Sequence, residues 1–170
     1  VRFIIFINAI VFAIWMWGDV SWMAQNFLVS WDLLEKGRYW ILLSSVFSHN
    51  MFFHLFINMF VLHSFGSVME LFLGRAQFLL LYLITGIMAS LGASVAVAGI
   101  VMVFSFMFPQ HKILLFAIVP IPAIWGALAF IGLDLWGLYE QSQGGGFPIG
   151  HGAHLGGAFS GILYYFLLIR

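Results

Sequence analysis

Residues 50–69 read NMFFHLFINMFVLHSFGSVM. The stretch holds no Asp, Glu, Lys or Arg, and its length matches the roughly 20 residues a helix needs to cross a hydrocarbon core of about 30 Å. Polar and apolar residues do not alternate along it, which argues against a strand of a membrane barrel. Polar side chains sit inside it all the same, and two of them, His54 and Asn58, are spaced i, i+4 and share one helix face. Polar groups at membrane depth are costly and turn toward a bundle interior or water. The stretch therefore reads as a transmembrane helix with a functional face.

The rest of the chain has the same character. Of 170 residues, 64% are hydrophobic and 7% charged, against roughly 25% charged in a soluble domain. A bilayer can solvate that much apolar surface; water cannot. The formal net charge of zero gives no footprint for nucleic acid, and the lack of cysteine excludes disulfides and thiol chemistry. The fold expected is an all-α integral membrane protein, one domain over 1–170, with spans at 3–17, 50–69, 76–90, 94–109, 113–136 and 152–169. Residues 19–49 are expected to form a structured outer loop, because Trp22, Trp31, Tyr39 and Trp40 suit the headgroup region. The first apolar run lacks the small-residue site of a cleavable signal peptide. Val1 at the start and Arg170 directly after an apolar run suggest natural ends beyond both.

Charge orients this arrangement. Arg2, Arg75, Lys112 and Arg170 fall on one side, and only Lys36 and Arg38 on the other, both in the long loop. Both termini are therefore expected in the cytoplasm. The run 76–109 fits this count poorly, since two spans need about 40 residues before any turn. No Pro, Asn or Asp lies between Gly86 and Val95 to reverse the chain. A connecting segment absent from this sequence is expected near Met88–Leu91.

With that topology the second, fourth and sixth spans all enter from the outer face. Each carries polar residues near its start: His54 and Asn58, then Ser94, then His151 and His154. Three spans with polar groups at one depth point to a single wet site opening to the extracytoplasmic side. A serine, an imidazole and further donors are the parts that acyl transfer needs: a weak nucleophile, a base to take its proton, and groups to hold the oxyanion.

The residues themselves resemble a known family. His54-Leu55-Phe56-Ile57-Asn58-Met59 is similar to the HxxxN motif of the rhomboid intramembrane proteases. Gly92-Ala93-Ser94 is similar to the first three residues of their GxSG motif, and His151-Gly152-Ala153-His154-Leu155-Gly156-Gly157 to their last-helix motif. Glu70 also fits, and the likeness runs from about Trp40 to Gly161. The resemblance implies a six-transmembrane-helix rhomboid-like bundle and a serine endopeptidase. Ser94 and His154 would be a catalytic dyad without an acidic third member, their side chains near hydrogen-bond reach. His54 and Asn58, with the Ser94 N–H, would bind the oxyanion, and His151 would support the site from behind. Substrates would be single-pass or multi-pass membrane proteins cut near the bilayer surface. No cofactor and no metal is implied.

Two positions depart from the family pattern. Val95 stands where the family has glycine after the serine, and a β-branched side chain there is expected to hold the fourth and sixth helices apart. Trp40-Ile41 replaces the family's Trp-Arg, with Arg38 two residues earlier, a change assigned to loop anchoring. Elsewhere, His49, His63 and His111 read as interfacial or structural. Asp134 reads as a loop anchor without a catalytic role, and Trp136 beside it as a candidate for a substrate gate. Gly152, Gly156, Gly157 and Gly161 read as small-xxx-small packing pairs. Competing classes are a rhomboid-like protein that binds membrane clients without cutting them, a cytochrome with haem on paired histidines, and a transporter, for which no inverted repeat is visible. No His-Glu-x-x-His motif supports a metalloprotease.

Overall fold

The computed structural model describes residues 1–89, 93–115, 118–146 and 149–170. Nine α-helices and one β-hairpin are seen among the described residues. Helix α1 (Arg2–Trp17) leads into three short helices, α2 (Val20–Phe27), α3 (Trp31–Glu35) and α4 (Ile41–Ser44), the last continued by a 3-10 turn over Ser45–Phe47. Local capping fixes them: Asp19 accepts from the Trp22 N–H at 2.6 Å and Ser30 from the Leu33 N–H at 3.3 Å. Arg38 does anchor this region, donating to the Gln25 side chain at 3.3 Å and lying over the Trp40 ring. Trp40 in turn donates to Asn26 at 3.3 Å.

Helix α5 (Phe52–Leu73) follows, then α6 (Arg75–Ala89) and α7 (Ala93–Met107). The segment expected to be missing near Met88–Leu91 runs into residues 90–92 and lies outside the described residues, as does Gly92 of the serine motif. Phe78, Leu81 and Tyr82 of α6 pack with Ile100, Val103 and Phe104 of α7, and with Leu62 and Met69 of α5, to make the main core. Tyr82 also pins the outer segment, its hydroxyl donating to the Val46 carbonyl at 2.9 Å and accepting from Asn8 at 3.2 Å.

The expectation of an all-α fold with a fifth span over 113–136 needs correction. Strands β1 (Lys112–Leu115) and β2 (Val119–Pro122) pair antiparallel, and helix α8 starts only at Ala123 and runs to Ser142. Proline supplies no N–H and blocks a helix interior, so Pro120 and Pro122 are excluded from the helix. A two-stranded sheet has only edges, where proline is tolerated. The Ala123 N–H then donates to the His111 carbonyl at 2.8 Å, tying the helix start to the base of the hairpin.

Helix α9 (His151–Tyr164) closes the structure and runs on as a π turn over Tyr165–Ile169. It runs parallel to α7. A Cβ built on Gly157 would lie 2.2 Å from the Val95 carbonyl oxygen, and one on Gly161 would lie 2.4 Å from that of Gly99. The two contacts advance together along both helices. Val95 is fully buried, yet the helices are not held apart, because Gly157 on the facing helix carries no side chain where the two backbones meet.

The exterior is apolar. Phe52, Phe53, Phe56 and Phe60 on α5 are each more than half exposed. Among the described residues two helices are long and apolar enough to cross a membrane, Phe52–Leu73 and His151–Ile169. Their most apolar windows are only 22% and 33% buried within the protein, unlike the core helix of a soluble fold. Three shorter apolar helices accompany them: Arg2–Trp17, Arg75–Met88 and Ser94–Met107.

Candidate functional site

The polar residues of three helices meet at one end of the α5–α7–α9 packing. Ser94 is the second residue of α7 and is buried. Its backbone N–H belongs to the first turn of α7, where helix N–H groups have no partner within their own helix. His154 sits in the first turn of α9, one turn before Gly157, so the Val95–Gly157 contact brings it level with Ser94. Among the described residues no hydrogen bond joins Ser94 to His154. His54 on α5 lies close enough to His154 to interact with it electrostatically. Asn58, one turn further along α5, is buried and donates from Nδ2 to the His54 carbonyl at 2.8 Å. An amide nitrogen carries two hydrogens, so one remains for another acceptor.

The largest departure from the sequence reading is Asp134. It is 4% exposed and faces α9 from α8, with His154 Nδ1 3.1 Å and His151 Nδ1 2.7 Å from its Oδ1. A carboxylate only accepts, so both imidazoles carry their proton on Nδ1 and donate. That tautomer leaves the His154 Nε2 lone pair free. The ring is further held by stacking on Phe130, with centroids 5.7 Å apart and planes 29° apart. Asp134 is no loop anchor; it positions the two histidines of α9. The signal was present in the sequence, since an ionisable residue inside an apolar helix calls for a named partner.

His49 was also read too plainly. It is buried between the outer segment and α5, edge-on to His54 at 5.3 Å, and neither ring nitrogen has a partner among the described residues. Burial, with His54 adding to it, pushes its pKa down from 6.5 to about 3. Trp136 is exposed on α8 and borders a cavity of about 450 Å³ that it shares with Leu133, Gly137, Glu140, Gly146 and His151.

Helices with apolar outer faces, two of which share a buried carboxylate–histidine cluster near the level of Ser94, define a membrane-type helical protein. A family model described as the Rhomboid domain matches residues 36–170. The chain is 34% identical to Rhomboid protein 1, mitochondrial, of Saccharomyces cerevisiae, over 93% of this chain and 50% of that protein. It is 33% identical to Presenilin-associated rhomboid-like protein A, mitochondrial, of Danio rerio, over 95% of this chain and 45% of that one. RHOMBOID-like protein 12, mitochondrial, of Arabidopsis thaliana is 29% identical over 89% of this chain. The chain belongs to the rhomboid family, which includes intramembrane serine proteases. It spans about half the length of the curated relatives it matches.

Proposed function

We propose that the protein is an intramembrane serine endopeptidase, a six-span bundle cutting transmembrane segments of membrane-protein substrates. One observation carries the reading: His154, its Nδ1 held by a buried carboxylate, stands on a helix packed backbone to backbone against the helix whose first turn carries Ser94. In that role His154 Nε2 takes the Ser94 hydroxyl proton as Oγ attacks the scissile carbonyl. The Ser94 N–H, His54 and the free Asn58 amide hydrogen donate to the oxyanion, and His154 returns the proton to the leaving amine. Asp134 supplies what the resemblance did not, an acid that fixes the tautomer and steadies the imidazolium. Long, poorly aligned catalytic contacts are usual before substrate binds, which accommodates the missing Ser94–His154 bond.

The bundle is proposed to sit with its termini on the cytoplasmic side and its site toward the outer face. The names of the relatives make a mitochondrial membrane the first place to look for it. A fluorophosphonate probe on detergent-solubilised protein should label Ser94, and Ser94→Ala or His154→Ala should abolish both labelling and cleavage of a transmembrane reporter. Full cleavage by Ser94→Ala would remove the nucleophile from this scheme. A second reading, binding of membrane clients without cutting, draws on that same missing bond; it predicts an unlabelled Ser94 with retained client capture.

A further inference from the structure

His151 is not needed to move the Ser94 proton, yet it takes the shorter of the two bonds to Asp134, at 2.7 Å. Two imidazoles therefore share one carboxylate oxygen. The other oxygen, Oδ2, is buried and has no partner among the described residues. A carboxylate arranged only to orient His154 would leave neither a surplus donor on one oxygen nor an orphan on the other, because a buried unmatched acceptor is destabilising.

A cation resolves both mismatches. One donor atom each from Asp134, His151 and His154 lies within 4.8 Å of the others. Two imidazole nitrogens and a carboxylate oxygen are the three-ligand set on which zinc is commonly held, with a fourth position for water. The histidines sit one turn apart on α9, and the acid comes from α8, so rigid elements present all three. The backbone makes room for this arrangement: a Cβ at Gly137 would lie 2.3 Å from His151 Nε2, so that ring fits only over a glycine. An approach exists as well, since His151 forms part of the wall of the 450 Å³ cavity, which Glu140 also lines.

We propose that Asp134, His151 and His154 form a binding site for a divalent transition metal, taken as zinc, and that its occupation switches the hydrolase off. The second half rests on the function proposed above. Its chemistry follows from counting protons. Neutral His154 has one N–H; with the metal absent it lies on Nδ1 and Nε2 offers its lone pair to Ser94. When Nδ1 binds the metal, that proton resides on Nε2, which then donates and cannot accept. The ring gains and loses no proton, but Ser94 loses its base.

Cobalt(II), whose visible bands report tetrahedral coordination, tests the site without reference to catalysis. Titrated into tag-free protein in detergent, it should saturate at one equivalent and be displaced by zinc chloride. The bands should persist in Ser94→Ala and vanish in His151→Gln; Asp134→Asn, read by cobalt alone, should show the same loss and stands in if His151→Gln does not fold. Zinc should slow reporter cleavage by the wild type at least tenfold, reversibly with EDTA, while the ratio of rates with and without zinc stays near one in His151→Gln. Absent bands, or bands that survive both ligand substitutions, overturn the site. Bands lost as expected together with zinc-indifferent cleavage overturn the switch. Wild-type protein that shows the bands but never cleaves in EDTA overturns the protease reading and the switch with it, while the metal site stands.

Discussion

Asp134 and His49 show how much rests on single buried polar groups. Replacing Asp134 by Asn keeps the shape but lets the amide donate to His154 Nδ1, which favours the wrong tautomer. Asp134→Asn should lower kcat by about 10²–10⁴ with little change in folding, as substitutions of this kind do in Ser–His–Asp hydrolases. A loss below about threefold in reporter cleavage would remove Asp134 from the reaction. His49 tests the opposite case, a polar ring that burial keeps neutral. Its pKa is low in the folded protein, so below pH 6.5 the unfolded chain binds a proton that the native state refuses. The contribution is fully present above pH 6.5 and falls away toward pH 3, by up to about 1.4 kcal/mol per pH unit. His49→Phe should therefore flatten the decline in Tm between pH 7 and pH 5 measured in detergent; an unchanged slope would place the acid sensitivity elsewhere. The sequence points to Ser94, His54, Asn58, His151 and His154 because each is polar where polarity is costly and each falls within a motif resembling the rhomboid family's. Asp134 meets the first of these criteria, but its partners lie 17 and 20 residues away across a loop, a pairing that helix spacing does not reveal.

At the scale of helices and strands, the hairpin marks where apolar patterning stops being informative. Residues 113–122 are apolar throughout except for their prolines, and a continuous apolar run does not separate strand from helix. The prolines were the available signal. The Val95 substitution also reads differently once its neighbour is known. Because Gly157 makes the room, Val95→Gly should not raise activity; it should instead lower stability by roughly 1.5–3 kcal/mol, the worth of burying a valine side chain. Gly157→Val should be worse, since a Cβ there meets backbone rather than a movable side chain. Thermal melts of the two variants decide this, and a Val95→Gly protein that is both faster and no less stable would restore the view of valine as an obstruction. The α6–α7 connection makes a separate prediction. The alignment to the yeast relative covers 180 residues while using 93% of this 170-residue chain, so that relative carries residues with no counterpart here. Trypsin cuts after Arg75 and Lys112, and no Lys or Arg lies between them. Peptide mapping of the native protein should find added residues between Met88 and Ser94; a peptide Ala76–Lys112 at its calculated mass would close the question against a missing segment.

For the whole molecule, the orientation of the bundle is directly measurable because the chain has no cysteine of its own. Lys36→Cys, in the α3–α4 segment, should react with a membrane-impermeant maleimide added to intact mitoplasts, or to spheroplasts of a bacterial host. Arg75→Cys, at the start of α6, should react only after lysis. The reverse pattern would invert the bundle and move the site to the cytoplasmic face. Charge asymmetry is a weak guide here because six basic residues in all set the balance.

The seam between α7 and α9 bears on how a substrate helix arrives. At Gly157 and Gly161 the two backbones touch with no rotamer between them to swing aside. Parting them would strip packing from both helices at once, and nothing along that line can act as a hinged door. Under the proposed function, a segment travelling in the plane of the bilayer enters from another quarter. The α8 flank is the nearest, where an exposed Trp136 borders a cavity walled by His151, which shares Asp134 with His154.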